Sequence, residues 1–333
     1  MSLLTRGLIP DVLLRAGIRF VCAERLRKER RSQGTIAGHL AALRSSPIAI
    51  ATRKANEQHY EVPPAFFRFV LGPRLKYSAA YFPPGVTSLA TAEESALALV
   101  SSRAELQDGQ RILELGCGWG SLTLWMAERF PASKIVAVSN SAAQRNAIEA
   151  SVRTRKLTNV EVRTADMNAF APAATFDRVV SVEMFEHMRN WEALLRKVAS
   201  WLNPEGRVFL HVFAHRRYAY LYENEGRADW MAREFFSGGQ MPSHDMLSHL
   251  ETPFSIDERW RIDGTHYART AEAWLRNLDA HQSEVLRIFR DAGASDPRGD
   301  LRRWRIFFLA CAECFAFRGG SEWGVSHYRL VNA

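Results

Sequence analysis

Short apolar runs and amphipathic stretches alternate through the middle of the chain. The pattern predicts a short apolar strand at 111–115 and further strands at 134–138, 160–164, 178–182 and 208–213. Between them, the spacing of apolar residues predicts helices at 121–130, 142–155 and 191–202. Strands that alternate with helices of this length are typical of a parallel, doubly wound sheet. The pattern therefore predicts the α/β class.

The flanking segments have a different pattern and divide the chain into four parts. Residues 1–60 are predicted to be helical, and residues 61–213 to form the sheet core. Residues 214–300, rich in aromatic, His and Arg residues, predict a mostly helical cap over the carboxyl edge of the sheet, where open α/β folds bind ligands. Residues 301–333 predict a C-terminal helix and a closing strand at 324–331 that rejoin the core.

Composition places the chain among soluble globular proteins. Of 333 residues, 47% are hydrophobic and 24% charged. No apolar run approaches the roughly 20 residues that span a bilayer, so we expect a cytoplasmic protein. The net charge of +8 is dispersed, except in the basic stretch 25–31, which indicates either a solvated helix face or a peripheral membrane contact. No nucleic-acid fold signature is present, and a homodimer stays open.

The four cysteines indicate neither a disulfide framework nor a zinc site, so we expect no metal. Cys311 and Cys314 form a C-x-x-C pair inside the apolar run 306–317. A spacing of three residues in such a run favours two small side chains on one buried helix face over redox or metal use.

A glycine-rich turn follows the first predicted strand. Gly116, Gly118 and Gly120 form G-x-G-x-G, and Glu114 stands two residues before the first glycine. Glycines permit a tight turn and the close approach of a ligand. The pattern differs from the dinucleotide motif G-x-G-x-x-G, and an acid at the strand end suits the amino group of an amino-acid-like ligand better than a pyrophosphate. A purely structural turn is the alternative.

The ends of the next two predicted strands supply further polar groups. The second strand ends at Asn140, where an acid that binds ribose hydroxyls is the usual pattern; the asparagine amide can bond to a diol without charge. After the third strand, Asp166 can accept a hydrogen bond from an adenine amino group, with Met167 against the ring. Asp166 as a plain helix cap is the alternative.

These residues carry a resemblance to the cyclopropane-fatty-acid synthase superfamily of methyltransferases. In that family Asn or Thr ends the second strand and a Gln follows, which Asn140 and Gln144 match. A Tyr-Ser pair before the core, matched by Tyr77 and Ser78, touches the methionine part of the cofactor. The chain is most similar, over nearly its whole length, to the plant benzylisoquinoline (coclaurine-type) N-methyltransferases. The resembling stretches are 47–50, 58–63, 182–188, 211–215, 235–243, 266–270 and 322–323.

The resemblance implies a class I, Rossmann-like fold that binds S-adenosyl-L-methionine (SAM) and releases S-adenosyl-L-homocysteine (SAH). It also implies that a small cyclic or aromatic amine is the methyl acceptor, bound by the cap. Together with the motifs above, it predicts cofactor contacts at Tyr77, Ser78, Glu114, Gly116, Gly118, Gly120, Asn140, Gln144, Asp166 and Met167.

Methyl transfer to an amine requires an acceptor nitrogen with a free lone pair. Glu183 and His187 follow the fourth predicted strand, and if this turn is helical, residues four apart share one face. Histidine suits proton removal because the pKa of an unperturbed imidazole lies near neutral pH, and Glu183 can hold the amine and the developing ammonium. The resemblance implies the same two roles. A helix-start carboxylate with a structural histidine is the alternative.

Glu186 suggests a second interpretation of the same motif. In the lipid-modifying branch of the superfamily, the matching Glu helps to bind a bicarbonate ion that serves as base, with residues that match His211 and Tyr267. That branch carries Gly where this chain has Glu183, and Cys where it has Ala79. A carboxylate at Glu183 would repel bicarbonate, so we favour a protein-borne base. Bicarbonate is expected only if the chain methylates or cyclopropanates an unsaturated acyl chain.

Aromatic residues are candidate walls of the acceptor site. With His211, the predicted acceptor-binding residues are Phe213, Tyr267, Phe315 and Trp323. Aromatic faces suit a cationic amine through cation–π contact, although each is equally an ordinary core residue. A third hypothesis is a SAM-binding protein without turnover. The sequence argues against it, because Glu183, Glu186 and His187 are all present.

Overall fold

A seven-stranded mixed sheet forms the centre of the fold. The computed structural model describes residues 9–32, 36–50, 62–222, 234–236 and 238–333. Its strands are β1 (Arg111–Leu115), β2 (Lys134–Ser139), β3 (Val160–Thr164), β4 (Phe176–Val182), β5 (Leu202–His215), β6 (Tyr220–Leu221), β7 (Gln240–Met241), β8 (Phe254–Asp263) and β9 (Trp323–Asn332). The sheet order is β3-β2-β1-β4-β5-β9-β8, and β6 pairs with β7 separately. From β3 to β5 the strands run parallel. β9 pairs antiparallel with β5, and β8 pairs antiparallel with β9.

Helices pack on both faces of this sheet. They are α1 (Asp11–Arg31), α2 (Ile36–Arg44), α3 (Pro64–Val70), α4 (Leu89–Arg103), α5 (Ser121–Arg129), α6 (Ala142–Thr154), α7 (Trp191–Ala199), α8 (Gly264–Ala280), α9 (Gln282–Asp291) and α10 (Pro297–Gly320). Ile112 of β1 shares a hydrophobic cluster with Leu122 of α5, and its neighbour Leu113 shares another with Leu194 of α7. Because successive strand residues face opposite ways, both faces are buried, and the predicted doubly wound α/β fold is confirmed.

Side-chain caps determine where two core helices begin. Ser141 Oγ accepts a hydrogen bond from the Gln144 N–H at 3.3 Å at the start of α6. Asn190 Oδ1 accepts from the Ala193 N–H at 2.9 Å at the start of α7. Such caps satisfy N–H groups that have no partner within the helix. The cap of α6 thereby places Gln144 just beyond the end of β2.

The segment 214–300 is less helical than the sequence predicts. Besides α8 and α9 it contains β8, a ten-residue strand that pairs antiparallel with β9 at the edge of the sheet. The register shifts between Ile256 and Glu258, and one face of the strand is largely exposed. Its apolar residues Phe254, Ile256, Trp260 and Ile262 recur at every second position, as in a strand with one buried face, and the pattern is interrupted only at Glu258, beside the register shift. The prediction of a mostly helical cap is therefore wrong at this element, whereas the closing strand is confirmed as β9.

The N-terminal part contains helices, as predicted, where it is described. Residues 1–8, 33–35 and 51–61 lie outside the described residues, as does most of the resembling stretch 58–63. Within the basic stretch 25–31, Arg25 pairs with Glu29 and lies over the ring of Tyr220 at 4.9 Å from its centre. At least this arginine packs against the fold, and a membrane contact through the others stays a prediction.

The helices and the His, Cys, Asp and Glu side chains of the described ranges bear on membrane and metal binding. Within those ranges, none of the helices combines the length and the apolarity that a membrane crossing requires. The same residues include no group of three or more His, Cys, Asp or Glu side chains placed to hold a metal ion. Cys311 and Cys314 lie in α10 as free thiols, and Cys311 is buried. The cytoplasmic location stays a prediction.

Candidate active site

The glycine-rich loop between β1 and α5 has the backbone that its sequence predicts. Gly116, Gly118 and Gly120 have positive φ angles of 81°, 54° and 84°. A Cβ at Gly116 would lie 2.5 Å from the Met184 side chain, and one at Gly120 would lie 2.8 Å from Ile148. At Gly118 a Cβ would meet nothing within 4 Å. The loop is therefore tightly packed on one side and open on the other, where a ligand can approach its backbone.

Glu114 lies near the end of β1 with its side chain buried. Thr123 donates its hydroxyl to Glu114 Oε2 at 2.6 Å. Burial raises the pKa of Glu114 to about 8, so the group on its own keeps its proton near neutral pH. A ligand ammonium beside it would favour the carboxylate, which fits an acid that binds an amino-acid-like ligand.

A cleft of about 680 Å³, here named the Asp166 cleft, opens at the carboxyl edge of the parallel strands. Ser139 Oγ donates to Gln144 Oε1 at 2.6 Å, and Asp166 Oδ1 accepts from the Asn168 N–H at 2.8 Å. Asp166 thus both caps the turn after β3 and lines the cleft. The predicted site residues in its lining are Gly116, Gly118, Asn140, Gln144, Asp166, Met167, Glu183 and His187.

A second cleft of about 570 Å³, here named the Tyr77 cleft, meets the first at Gly116, Gly118 and Glu183. Its lining includes three more predicted residues, which are Tyr77, Ser78 and Glu114. Every predicted cofactor residue except Gly120 therefore lines one of two adjoining clefts. The Tyr77 cleft also includes Lys76, which the sequence analysis does not single out, although it precedes the Tyr-Ser pair. Its Nζ is buried and donates to Ala79 O at 2.7 Å, and burial lowers the pKa of Lys76 to about 8.

Three buried polar atoms in these clefts have no hydrogen-bond partner among the described residues. They are Trp119 Nε1, Ser121 Oγ and Gln144 Nε2. Buried polar groups are nearly always bonded, so unpaired ones that line a cleft indicate a ligand. The open side of Gly118 and the acid Glu114 fit the same ligand. The residues present therefore fit a molecule that offers acceptors to those donors and an ammonium to Glu114.

Glu183 lies where the two clefts meet, directly after β4. Its Oε1 accepts from the Ala79 N–H at 2.8 Å and lies 3.1 Å from His211 Nε2. Tyr267 donates its hydroxyl to Oε2 at 2.7 Å. Burial raises the pKa of Glu183, and the nearby Lys76 ammonium opposes that rise. The carboxyl group is thus buried but held by groups from the loop before α4, from β5 and from α8.

His187 reaches the Asp166 cleft from the short 3₁₀ turn Phe185–His187. Its ring stacks on Phe236 with 4.5 Å between ring centres. The expectation that one helix face presents residues 183 and 187 is wrong, because Glu183 has a left-handed backbone with φ of 50° and the turn begins only at Phe185. The two side chains instead line the same cleft because the chain turns sharply between them.

Glu186 is fully buried and bonds to the sheet. Its Oε1 accepts from the Phe213 N–H at 2.6 Å. Burial, and next the charge of Glu183, hold the pKa of Glu186 well above its usual range. We therefore expect a neutral acid at this position.

Three of the four predicted aromatic residues form one buried wall near Glu183 and line neither of the two clefts. Tyr267 stacks on Phe315 at 4.1 Å between ring centres, and Phe213 lies edge-on to Phe315 at 6.4 Å. Phe236, which was given no role from sequence, continues this wall at 5.2 Å from Phe213. Trp323 belongs to the same buried hydrophobic cluster, and its indole N–H donates to a tyrosine hydroxyl of β6 at 3.0 Å.

Comparison with known proteins defines the class to which this fold and these clefts belong. Relatives that are 33–35% identical to this chain are named N-methyltransferases, one of them solved with SAH, and the chain is a SAM-dependent methyltransferase. The model of the mycolic acid cyclopropane synthetase family matches residues 49–321, and the chain belongs to this family. The resemblance stated from sequence is confirmed.

Within this family the chain is similar to coclaurine N-methyltransferases. (S)-Coclaurine N-methyltransferase from Thalictrum flavum subsp. glaucum is 35% identical, and the match covers 96% of this chain and 92% of that protein. The crystal structure of coclaurine N-methyltransferase bound to N-methylheliamine and SAH has a TM-score of 0.95 at 34% identity, covering 99% of this chain and 97% of that chain. The cyclopropane-fatty-acyl-phospholipid synthase of Escherichia coli K12 is 28% identical over 83% of this chain and 68% of its own length.

Proposed function

We propose that this chain transfers the methyl group of SAM to the nitrogen of a small cyclic or aromatic amine, with Glu183 as the amine anchor and His187 as the base. The observation that carries this proposal is that both side chains line the Asp166 cleft beside the predicted cofactor residues. When bound, SAM supplies an electrophilic methyl group. The protein then has to orient the amine and manage its proton.

The predicted cofactor residues divide between the two clefts according to their chemistry. We assign the ligand ammonium to Glu114, the ribose hydroxyls to Asn140 and the adenine amino group to Asp166, with Met167 against the ring. The Tyr-Ser pair 77–78 borders the methionine end of the same ligand. The lining of the clefts and their unpaired buried donors support this assignment.

An alkylamine is mostly protonated near neutral pH and then lacks the lone pair that attacks carbon. The Glu183 carboxylate attracts the ammonium form, and the wall that contains Phe213 and Phe315 suits a cation through cation–π contact. His187 takes the N–H proton, which leaves the nitrogen lone pair free. Glu183 then stabilises the positive charge that develops on nitrogen during transfer.

The contacts of Glu183 support an amine acceptor over a lipid acceptor. By resemblance, the lipid-modifying branch binds bicarbonate with groups that match Glu186, His211 and Tyr267. In this chain His211 and Tyr267 already contact the Glu183 carboxyl group, as does the N–H of Ala79. Bicarbonate would meet a second anion there instead of free donors. The lipid alternative rests on the family name and on the similarity to the bacterial synthase, and is the second candidate.

An acceptor screen with labelled SAM tests the substrate class. It compares cyclic amines with vesicles of unsaturated phospholipid, and the similarity to a structure that holds N-methylheliamine motivates the amines. We expect label in the amines. Label in the vesicles alone would favour the lipid enzyme, and SAM binding without transfer to any acceptor would favour a protein without turnover.

Separate roles for His187 and Glu183 predict that their variants fail differently. His187→Ala should lower turnover by roughly 10²- to 10⁴-fold, the usual contribution of a general base, and higher pH should partly restore it because more acceptor arrives as free amine. Glu183→Gln keeps the shape without the charge, so amine binding and turnover should both weaken, and high pH should restore less. The measurement is a pH–rate profile. The other titratable groups that face Glu183 are Lys76, Glu186, His211 and Tyr267.

His249→Ala is the matched control for this profile. His249 pairs with Asp245 at 3.5 Å on the turn Met246–His249, and its side chain is 44% exposed. This variant should keep the wild-type profile. Wild-type turnover of His187→Ala across the whole pH range would mean that His187 is structural and that the mechanism is wrong.

A further inference from the structure

Behind Glu183, a row of three side chains crosses the sheet toward α4. β5 and β9 pair antiparallel with His211 opposite His327, and the two ring centres lie 4.6 Å apart. His327 Nε2 lies 2.9 Å from His211 Nδ1, and Arg103 Nη1 lies 2.8 Å from His327 Nδ1. Since His211 Nε2 lies 3.1 Å from Glu183 Oε1, the row ends at the candidate active-site carboxylate.

The chemistry of arginine determines the direction of each hydrogen bond in this row. A guanidinium only donates, so His327 Nδ1 accepts, and the ring proton of His327 is on Nε2. That N–H donates to His211 Nδ1, which leaves the His211 proton on Nε2, facing Glu183. Burial holds the pKa of both histidines well below the usual range, which keeps each ring neutral with a single N–H. Each ring therefore has one tautomer that satisfies both of its neighbours.

We propose that His327 and Arg103 are positioning residues, which hold the Glu183 carboxylate in place by keeping the proton of His211 on Nε2. This inference rests on the proposed function of Glu183 as the amine anchor. With its proton on Nδ1 instead, His211 would present a lone pair to Glu183 Oε1 and repel it. Glu183 would then lose one of its donors and its orientation toward the acceptor nitrogen.

Arg103 is itself held at the far end of the row. It is the last residue of α4, and its guanidinium lies 4.7 Å from the centre of the Trp260 ring on β8. Arg329 of β9 lies 5.7 Å from the centre of the same ring and donates to Arg103 O at 3.3 Å. The edge strand β8 thus contributes to the active site through Arg103, although it lies at the end of the sheet.

Two substitutions of His327 separate its hydrogen bonds from its packing. His327→Phe keeps a flat ring without nitrogens, whereas His327→Gln keeps an amide N–H that can reach His211. We expect kcat/KM for the amine to fall roughly ten- to a hundredfold in His327→Phe, which is the usual contribution of one hydrogen bond to a charged group. In His327→Gln we expect kcat/KM to recover largely. His244→Phe controls for a general loss of stability when a histidine near this strand loses its hydrogen bond, because His244 bonds at 2.8 Å to Ser326, the neighbour of His327 on β9.

The second measurement is the ¹⁵N NMR spectrum of ring-labelled histidine, which distinguishes a protonated ring nitrogen from an unprotonated one. In the wild-type protein we expect His211 and His327 each to carry the proton on Nε2. In His327→Phe and in Arg103→Leu, His211 should gain a population that is protonated on Nδ1. His244→Phe should leave the spectrum of His211 unchanged. Lower activity of His327→Phe with an unchanged His211 spectrum would mean that His327 acts only through packing, and would overturn the proposal.

The spectrum separates failure of this inference from failure of the proposed function. A wild-type His211 protonated on Nδ1 overturns the row whatever the activity of the variants. If the spectra are as expected but Glu183→Gln retains wild-type turnover, the row exists and the role of Glu183 as amine anchor is wrong. The expected spectra, with loss of activity in His327→Phe and recovery in His327→Gln, support both.

Discussion

Glu183 combines an unusual backbone conformation with a side chain that three groups hold. Its φ of 50° lies in the left-handed region, which residues other than glycine rarely adopt. By resemblance, the members of the lipid-modifying branch carry Gly at the position that matches Glu183. With Gly, the N–H of Ala79 and the side chains of His211 and Tyr267 would be available to a free anion; with Glu, the protein supplies the anion itself. We infer that this one side chain distinguishes an amine anchor from a bicarbonate site.

Bicarbonate should be dispensable for the wild-type protein and should restore some activity to Glu183→Gly. The glycine variant frees the three groups that contact the carboxylate, which can then bind a small anion, and glycine accepts the positive φ. Turnover is measured in carbonate-free buffer with added bicarbonate, and added chloride is the control. Wild-type activity that collapses without carbonate and returns with bicarbonate would support the lipid enzyme instead.

The buried acid Glu114 should make cofactor binding depend on pH. Because burial raises the pKa of Glu114 to about 8, the acid must lose a proton when an ammonium binds beside it at lower pH. Affinity for SAM should therefore rise between about pH 6 and pH 8, with release of a proton. Calorimetry in buffers of different ionisation enthalpy measures that proton.

Glu114→Gln is the control for this prediction. It should bind SAM more weakly and without proton release. A rise in pH has the opposite effect on the stability of the free protein, because a raised pKa means that the fold disfavours the ionised form of Glu114. The free wild-type protein should therefore lose stability relative to Glu114→Gln as the pH rises from about 4 to about 8. Cofactor affinity of the wild type that is constant over this range would contradict the assignment of the ammonium to Glu114.

Residues in one loop or at strand ends could be predicted from the sequence because spacing along the chain sets their positions. Asn140 and Gln144 are close in sequence, and both line the Asp166 cleft. The row behind Glu183 could not be predicted in this way, since His211 and His327 become neighbours only through the pairing of β5 with β9. No local pattern encodes a hydrogen bond between distant strands.

The strands also differ in whether the sequence analysis predicted them. The central strands β1, β2 and β4 are largely buried, so they appear as short apolar runs in the sequence, whereas the edge strand β3 (VEVRT) alternates apolar and polar residues. β8 has charged residues on its exposed side and a register shift, but Phe254, Ile256, Trp260 and Ile262 recur at every second position, a strand pattern inside a segment that was predicted to be mostly helical. This strand nevertheless supplies Trp260, which packs against Arg103. The strand that escaped prediction therefore also packs against the row of side chains behind Glu183.

Gly118→Val should abolish SAM binding and leave the fold intact. Gly118 has a positive φ, and its Cβ would enter the open space shared by the two clefts, where valine is strained and occupies the place of the ligand. Gly109→Val is the matched control, because Gly109 also has a positive φ, 86°, and open space around its Cβ, but lines neither cleft. We expect similar Tm values and loss of calorimetric binding only in Gly118→Val. Undiminished binding there would contradict the cofactor assignment.

Across the whole molecule, two arginines connect α1 to helices that surround the acceptor wall. Arg15 of α1 bonds to Glu272 of α8 and, at 2.7 Å, to Glu313 of α10. Arg305 of α10 makes the reverse connection, to α1 and α8. Since α8 carries Tyr267, which donates to the Glu183 carboxyl group, the N-terminal helix stabilises a part of the fold on which the candidate site depends.

Arg305→Met should destabilise the protein without changing the cofactor site. Arg305 bonds to Asp11 at 2.6 Å and to Asp279 at 2.7 Å, and the arginine side chain is 25% exposed. Partly exposed ion pairs contribute about 0.2–1 kcal/mol each, so we expect the free energy of unfolding to fall by roughly 0.5–2 kcal/mol. Arg155→Met, which removes one exposed pair with Glu128 instead of two pairs, is the matched control and should change it by about 0.2–1 kcal/mol.

The pH dependence of this loss distinguishes charge from packing. The hydrogen bond from Arg305 lowers the pKa of Asp11, so the stabilisation is present above the unfolded pKa of an aspartate, about 3.9, and is lost as the pH falls through the lower folded pKa. The difference in unfolding free energy between wild type and Arg305→Met should therefore shrink below about pH 4, and also in high salt, which screens exposed charges. Urea unfolding at several pH values and salt concentrations measures it. A difference that stays constant under all these conditions would mean that Arg305 stabilises the helices by packing alone.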